Sequence, residues 1–215
     1  MRFWTLGLKV AMCAAILAAR AGMASTSPEP DPPAPAALRL AWQVLASADH
    51  GGLPFAVVDK KAATLTIFRA DGQSVGTTPV LLGRAAGDQA MPGVGARTQT
   101  GQLRLRDQVT TAGRFDSQPG HNLAGEAVVW IDYDSALAIH RLRPGASQHE
   151  RALRLAMADP QARRVSAGCV VVPVAFYEAV VAPVLGRSRG VIYVTAEDGE
   201  PLDTPLDRPR APSGS

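Results

Sequence analysis

Aromatic residues are scarce in this chain of 215 residues, at 5% of the sequence, although 47% of its residues are hydrophobic. Proteins that bind single-stranded nucleic acid stack the bases on aromatic side chains that lie beside basic ones. Too few aromatic residues are present here for such a surface. The composition therefore excludes nucleic acid as a first choice of partner, and the length allows one globular domain with short extensions rather than two large domains.

An excess of charge of one sign is also lacking once the N-terminus is set aside. The chain has 22 basic and 19 acidic residues, but Arg2, Lys9 and Arg20 lie among the first 24 residues, which contain no acidic residue. The remaining chain therefore has 19 residues of each sign. The net charge of +3 thus does not indicate a polyanionic partner.

Long hydrophobic runs are absent as well. The apolar stretch Val10–Ala19 is shorter than the roughly 20 residues that span a bilayer. It follows the basic start of the chain and precedes the small residues at 22–24, which is typical of a secretory signal peptide. We predict that residues 1–24 are a signal peptide that directs the protein to the periplasm or cell envelope. Cleavage after Ala21 fits equally well, and an uncleaved segment would act as a membrane anchor.

Cysteine is nearly absent, with Cys13 inside the predicted signal peptide and Cys169 elsewhere. The mature chain would hold one cysteine, which excludes an internal disulfide and leaves a thiol oxidoreductase without a second cysteine to resolve its mixed disulfide. Most free cysteines are small buried hydrophobic residues. The neighbours of Cys169 favour a different role.

Proline and short β-branched runs divide the chain into regions. Residues 25–52 are predicted to be a proline-rich spacer with a short amphipathic helix at 36–48, and residues 197–215 a disordered tail. Residues 53–196 between them are predicted to form a mainly β domain with a few accessory helices. The predicted strands are 55–59, 63–69, 75–82, 113–117, 127–133, 137–140, 168–172 and 190–195, and the helices are 148–158 and 174–185.

The residues around Cys169 suit a nucleophile. A thiol nucleophile needs a base and amide donors for the oxyanion that it creates, and Gly168 lets the backbone approach a substrate closely. Ser166 either orients a neighbour or belongs to the turn. His140 ends a predicted strand and could serve as the base if that strand lies beside the strand of Cys169. No short spacing of His and Cys indicates a metal, so neither a metal nor a cofactor is predicted.

These residues resemble the L,D-transpeptidase catalytic domain of bacterial cell-wall enzymes, the YkuD family. The family signature is a histidine at a strand end followed later by Ser-x-Gly-Cys and a β-branched residue. It is matched here by His140, Ser166, Gly168, Cys169 and Val170. The resemblance covers roughly residues 53–196 and implies a β-sandwich or barrel-like fold.

Another segment supports the resemblance, and three positions depart from it. Residues 110–115 look like the family's Thr-Pro-x-Gly-x-Phe, with Thr111 in place of proline. Ala167 replaces a second histidine, Val171 replaces an arginine, and Arg141 replaces a glycine. Candidates for substrate contact are therefore Arg141, Arg164, Ala167 and Val170, with Arg143 as a further source of positive charge. Arg151 and Arg154 are interpreted as part of a solvated helix face.

The resemblance implies a reaction on peptidoglycan stem peptides. Cys169 would attack the carbonyl of a diamino acid joined to D-alanine, with His140 as the base, to form a thioester. We expect the sulfur to lie within hydrogen-bond reach of His140, loosely so in the unliganded protein. The acceptor would be an amine of a second stem peptide, an amine of a protein, or water, which would make the protein an L,D-carboxypeptidase. A divergent or non-catalytic cell-wall binding or scaffold domain of the same fold is the alternative.

Overall fold

The computed structural model describes residues 35–200, in which ten strands form two sheets. The larger sheet has eight strands in the order β3-β2-β1-β10-β5-β6-β7-β9, and β4 pairs with β8 in a small parallel sheet. The strands are β1 (Phe55–Asp59), β2 (Thr64–Phe68), β3 (Ser74–Pro79), β4 (Leu82–Gly83), β5 (Gly113–His121), β6 (Ala127–Asp132), β7 (Leu137–Arg141), β8 (Arg164–Ser166), β9 (Val170–Val172) and β10 (Gly190–Val194).

Short helices connect and cover these strands. They are α1 (Ala36–Ser47), α2 (Val94–Gln99), α3 (Gln148–Ala156), α4 (Val174–Phe176) and α5 (Ala182–Val184), with a π-helical turn at Tyr177–Val181 between the last two and 3-10 turns at Leu105–Asp107 and Gln161–Arg163. None of the helices within residues 35–200 has both the length and the apolar character that crossing a bilayer requires.

The large sheet nearly closes on itself. Strands β3 and β9 lie at its two ends, and Leu81, which follows β3, forms an antiparallel bridge with Val171 of β9. Each of these two residues donates its backbone N–H to the carbonyl of the other, at 2.9 Å in both directions. The mainly β, barrel-like fold that the sequence predicts is therefore confirmed.

The main core lies on one face of this sheet. Fully buried residues of six strands contact one another there, among them Val58, Leu65, Val129, Ile139 and Ile192. The segment that follows Pro173 packs onto the same cluster through Tyr177, Val181 and Leu185. Each buried aliphatic side chain of this kind contributes about 1.5–3 kcal/mol of transfer free energy.

Helix α1 covers a second cluster, on the other face of β1 and β10. Its buried residues recur at three- and four-residue intervals, as expected for one face of a helix. They are Ala37, Leu40, Ala41 and Val44, and they pack against Phe55, Val57, Phe68, Val191 and Tyr193. The short amphipathic helix predicted at 36–48 is therefore confirmed, and it belongs to the folded domain.

The predicted elements differ from the structure at a few points. The strand predicted at 75–82 is divided into β3 and β4, because Leu81 between them leaves β2 and bonds to β9. Strand β8 and helix α2 are not predicted: β8 has three residues, and α2 has six with a glycine at its second position.

The folded domain differs from the predicted one at its C-terminal end. The predicted signal peptide, the spacer up to residue 34 and the tail from residue 201 lie outside the described residues. The first residues of the predicted tail are folded, since Ala196 N–H donates to the Glu200 carbonyl and Glu197 forms an ion pair with the buried Lys60 at 3.0 Å. The folded domain therefore extends to Glu200.

Candidate active site

Strand pairing brings His140 and Cys169 to one face of the sheet. Strands β7 and β9 are parallel neighbours, with Ile139 opposite Val170 and His140 opposite Val171. Ile139 and Val170 point into the main core. Because successive side chains of a strand alternate between faces, His140 and Cys169 point to the opposite face. Both line a cleft of about 850 Å³, so the predicted adjacency of their strands is confirmed.

The thiol of Cys169 is protonated in the resting protein. The residue is half-buried, and its S–H donates to the Ala136 carbonyl at 3.5 Å. Burial raises the pKa of the thiol above its ordinary value, while the Ala138 backbone and the positive charges of Arg143 and Arg151 act in the opposite direction. A base is therefore needed to generate the thiolate.

His140 has the tautomer and charge of a base. Its Nδ1 lies 2.8 Å from the Arg141 carbonyl oxygen, which can only accept, so Nδ1 carries the hydrogen and Nε2 keeps its lone pair. Burial, together with the positive charge of Arg143, lowers the pKa of His140 to about 4. The ring is consequently neutral at physiological pH.

The sulfur and the imidazole are not joined in this unliganded arrangement. Among residues 35–200, the hydrogen bond of the thiol goes to Ala136, and that of the ring goes to the Arg141 backbone. The two groups share one face and one cleft without a hydrogen bond between them, and the loose hydrogen-bond reach expected from the sequence stays a prediction. Catalytic hydrogen bonds often tighten only when substrate is bound.

A tight turn presents Cys169 to the cleft. Ser166 Oγ donates to the Cys169 carbonyl at 2.7 Å and accepts the Gly168 N–H at 3.1 Å. Gly168 has φ +128°, and a Cβ at this position would lie 2.9 Å from the Val109 carbonyl oxygen. The geometry requires glycine here, and Ser166 holds the turn closed from inside.

Thr110 links the same turn to a neighbouring strand, and the sequence does not single it out for this role. Its buried Oγ1 donates to the Gly168 carbonyl at 2.7 Å and accepts the Gly83 N–H at 2.8 Å. The turn is thereby tied to β4. The signal that could have indicated Thr110 is its place at the start of the family-like segment 110–115.

Three of the four predicted substrate-contact residues lie outside the cleft. Val170 is fully buried in the main core, since its side chain points away from that of Cys169. Arg164 pairs with Glu197. Arg141 pairs with Glu126 at 3.5 Å and lies over the ring of Tyr177. Ala167, in contrast, is exposed and lines the cleft.

Four other arginines line the cleft, and two of them lie on α3. They are Arg84, Arg143, Arg151 and Arg154. Leu155 of α3 packs against Val171 and thereby turns this helix toward the site, where Arg151 has a buried Nε while Arg154 keeps the exposed side chain expected of a solvated helix face.

Large apolar side chains also line the cleft. They include Leu123, Trp130 and Tyr133, and the rings of the last two meet edge to face at 5.1 Å between centroids. Within residues 35–200, no group of three or more His, Cys, Asp and Glu residues is arranged to hold a metal ion.

Comparisons with known proteins identify the family of this domain. The family model described as YkuD, L,D-transpeptidase catalytic domain, matches residues 54–192. Similar solved structures include the catalytic domain of an L,D-transpeptidase from E. faecium, at 17% identity and a TM-score of 0.35, covering 66% of this chain and 96% of that one. Another is the L,D-transpeptidase LdtMt1 in complex with imipenem, at 17% identity and a TM-score of 0.36, covering 66% of this chain and 58% of that one. No curated protein matches the chain.

Proposed function

The chain belongs to the YkuD family of L,D-transpeptidase catalytic domains, and we propose that it is an exported cysteine L,D-transpeptidase that acts on peptidoglycan stem peptides. One observation carries the proposal: a neutral His140, with Nδ1 bonded to the Arg141 carbonyl and Nε2 available, shares a cleft with the thiol of Cys169. A thiol and a base on adjacent strands are the elements of nucleophilic acyl transfer.

The first step is attack of the thiol on the donor peptide. Nε2 of His140 takes the proton of Cys169, and the sulfur forms a bond to the carbonyl carbon of the diamino acid while the carbonyl electron pair moves to oxygen. The Gly168 N–H is already bonded to Ser166, so the Cys169 N–H is the nearest backbone donor for this oxyanion. One such donor lowers the barrier by about 2.7–4 kcal/mol.

Collapse of the tetrahedral intermediate then releases D-alanine. The C–N bond breaks, the imidazolium of His140 returns its proton to the leaving amine, and a thioester remains on Cys169. The low pKa of His140 makes the imidazolium a strong acid for this transfer. An acceptor amine attacks the thioester in turn, with His140 removing its proton, and the thiol is regenerated when the new amide forms.

The positive charges around the site favour the thiolate. Those of Arg143 and Arg151 act against the burial that raises the pKa of the Cys169 thiol, while burial and the charge of Arg143 lower the pKa of His140. The cleft volume of about 850 Å³ has room for a segment of peptide. Export is proposed from residues 1–24, and the acceptor is proposed to be the amine of a second stem peptide.

Acylation of Cys169 tests the function directly. The full chain is incubated with a tetrapeptide donor or with imipenem, and the intact protein and its peptides are analysed by mass spectrometry. We expect a thioester adduct on Cys169 and release of D-alanine from the donor. The Cys169→Ala variant should give no adduct and lose at least about a thousandfold in turnover, while its thermal unfolding shows that it is folded.

The acceptor and the alternative function are decided by the same experiment. Cross-linked product in the presence of a second stem peptide indicates transpeptidation, whereas tripeptide and D-alanine alone indicate a carboxypeptidase. Absence of any adduct, together with retained binding to peptidoglycan, would support a non-catalytic cell-wall binding domain instead.

A further inference from the structure

The cleft contains an arginine that has no carboxylate partner among residues 35–200. Arg151 lies in α3, and its buried Nε makes no hydrogen bond with any group in residues 35–200. Buried polar groups in folded proteins are nearly always hydrogen-bonded, and a charged group without a partner costs more than a neutral one. The side chain as a whole is only partly buried and lines the cleft, so a ligand bound there can accept hydrogen bonds from the rest of the guanidinium.

The packing of α3 places this arginine beside the nucleophile. Leu155 packs against Val171 and Leu81, and Arg151 is one turn earlier on the same helix face. Val171 lies on β9, two residues after Cys169. Arg151 and Cys169 therefore line the same cleft, and the positive charge of Arg151 acts to lower the pKa of the thiol.

Neighbouring side chains do not neutralise Arg151. Burial lowers the pKa of the Arg151 guanidinium, and the positive charge of the adjacent Arg143 lowers it further. Arg143 is itself paired with Glu126 at 2.6 Å. Glu150, which also lines the cleft, is held by Arg154 at 3.2 Å. The region beside the thiol thus has an uncompensated positive charge.

We propose that Arg151, with Arg143 beside it, binds the terminal carboxylate of the D-alanine that leaves the donor stem peptide. The proposal rests on the function given above. Only an amide nitrogen and one α-carbon separate that carboxylate from the carbonyl that Cys169 attacks, whereas other carboxylates of a stem peptide lie farther from it. The planar guanidinium matches a carboxylate, and the contact would select donors with a free C-terminus.

Binding of a minimal ligand tests the site without requiring turnover. The full chain, labelled with ¹⁵N, is titrated with N-acetyl-D-alanine and with its amide while the arginine Nε–H signals are followed by NMR. We expect the carboxylate to shift the signal that is missing from Arg151→Gln, and the amide to leave it in place. Arg141→Gln is the matched control, because Arg141 lies outside the cleft and already has Glu126 as its partner, and it should bind normally. Carboxylate binding that survives in Arg151→Gln would overturn the proposal.

Donor kinetics test the specificity. We expect Arg151→Gln to raise KM for a tetrapeptide with a free C-terminal carboxylate by about tenfold, to leave the corresponding amide donor unchanged, and so to remove the preference for the acid. Arg151→Lys should retain part of that preference. The proposal would be contradicted if Arg151→Gln raised KM equally for the acid and the amide donor. It would also be contradicted if the lost preference concerned the side-chain carboxylate of the diamino acid instead of the C-terminal one.

The two proposals fail in different ways. If no donor acylates the wild-type protein but N-acetyl-D-alanine still shifts the Arg151 signal, the carboxylate site stands and the transpeptidase function fails. If donors acylate Cys169 but Arg151→Gln treats acid and amide donors as the wild-type protein does, the function stands and this inference fails.

Discussion

The candidate site has two halves that are fixed in different ways. The sheet half, His140 and Cys169, is positioned by the backbone register of β7 and β9. The helix half, Arg151 and its neighbours on α3, is positioned by the packing of Leu155 on Val171. Backbone register follows from local sequence pattern, whereas the direction in which a helix faces depends on residues far away in the chain. The sheet half is consequently predictable from sequence and the helix half is not.

The largest effect is expected in the sheet half, at His140. His140→Gln removes the base and should reduce the rate of Cys169 acylation by about 10²–10⁴-fold. In the wild-type protein, that rate should rise with pH through the His140 pKa of about 4 instead of through its ordinary value of 6.5, because the neutral ring is the active form. Stopped-flow measurement of acylation by imipenem against pH checks both points.

Two further measurements test the lowered pKa of His140. Arg143→Gln removes a positive charge that lowers the His140 pKa, so the acid limb of the profile should move to higher pH. The unfolded chain binds a proton at His140 below pH 6.5 while the folded protein does so only near 4, so stability should fall as the pH decreases through this window. Unfolding of His140→Gln should lack that dependence. A wild-type acid limb near 6.5 would show that the pKa of His140 is not lowered, whereas an acid limb that His140→Gln leaves in place would show that His140 is not the base.

The sequence predicts the local features of the molecule better than the contacts between distant residues. Strands and the Ser-x-Gly-Cys turn follow from short apolar runs and local motifs, which is why His140 and Cys169 were found. Thr110 was missed because its partners, Gly83 and Gly168, are distant in the chain and meet only in the folded state. A charge pattern alone also gives no sign that Arg164 has a carboxylate partner or that Arg151 has none.

A smaller effect is expected at Gly168, where the turn meets the β4 side of the domain. Gly168→Ala should destabilise the protein by about 1–3 kcal/mol and slow acylation, because the added Cβ at φ +128° would press on the Val109 carbonyl. Gly145→Ala is the matched control, since Gly145 has φ +144° but open space around its Cβ position. Chemical denaturation and acylation rates are measured for both. Equal losses of activity in the two variants would remove the special role of the turn.

Thr110 should matter for stability more than for chemistry. Thr110→Val keeps the shape but leaves the Gly83 N–H and the Gly168 carbonyl without their buried partner, at a cost of about 1–3 kcal/mol in the free energy of unfolding. Thr110→Ser keeps the hydroxyl and should recover most of that loss. Denaturant unfolding of the three proteins provides the measurement. A valine variant as stable as the wild-type protein would mean that the turn does not depend on this bridge.

The smallest effect is expected at Arg141, which the sequence favours for substrate contact and the structure places outside the cleft. Arg141→Gln should change the acylation rate by less than about twofold, because its backbone carbonyl, which holds His140, is unaltered and Glu126 keeps its bond to Arg143. Loss of the partly buried ion pair, in which Glu126 keeps Arg143 as a partner, and of the contact with Tyr177 should cost about 1 kcal/mol of stability or less. Donor kinetics beside those of Arg151→Gln provide the comparison. Arg141→Gln could instead lose the preference for a free C-terminal carboxylate while Arg151→Gln retained it. The carboxylate would then be bound by Arg141 of β7, and the division between the two halves would be wrong.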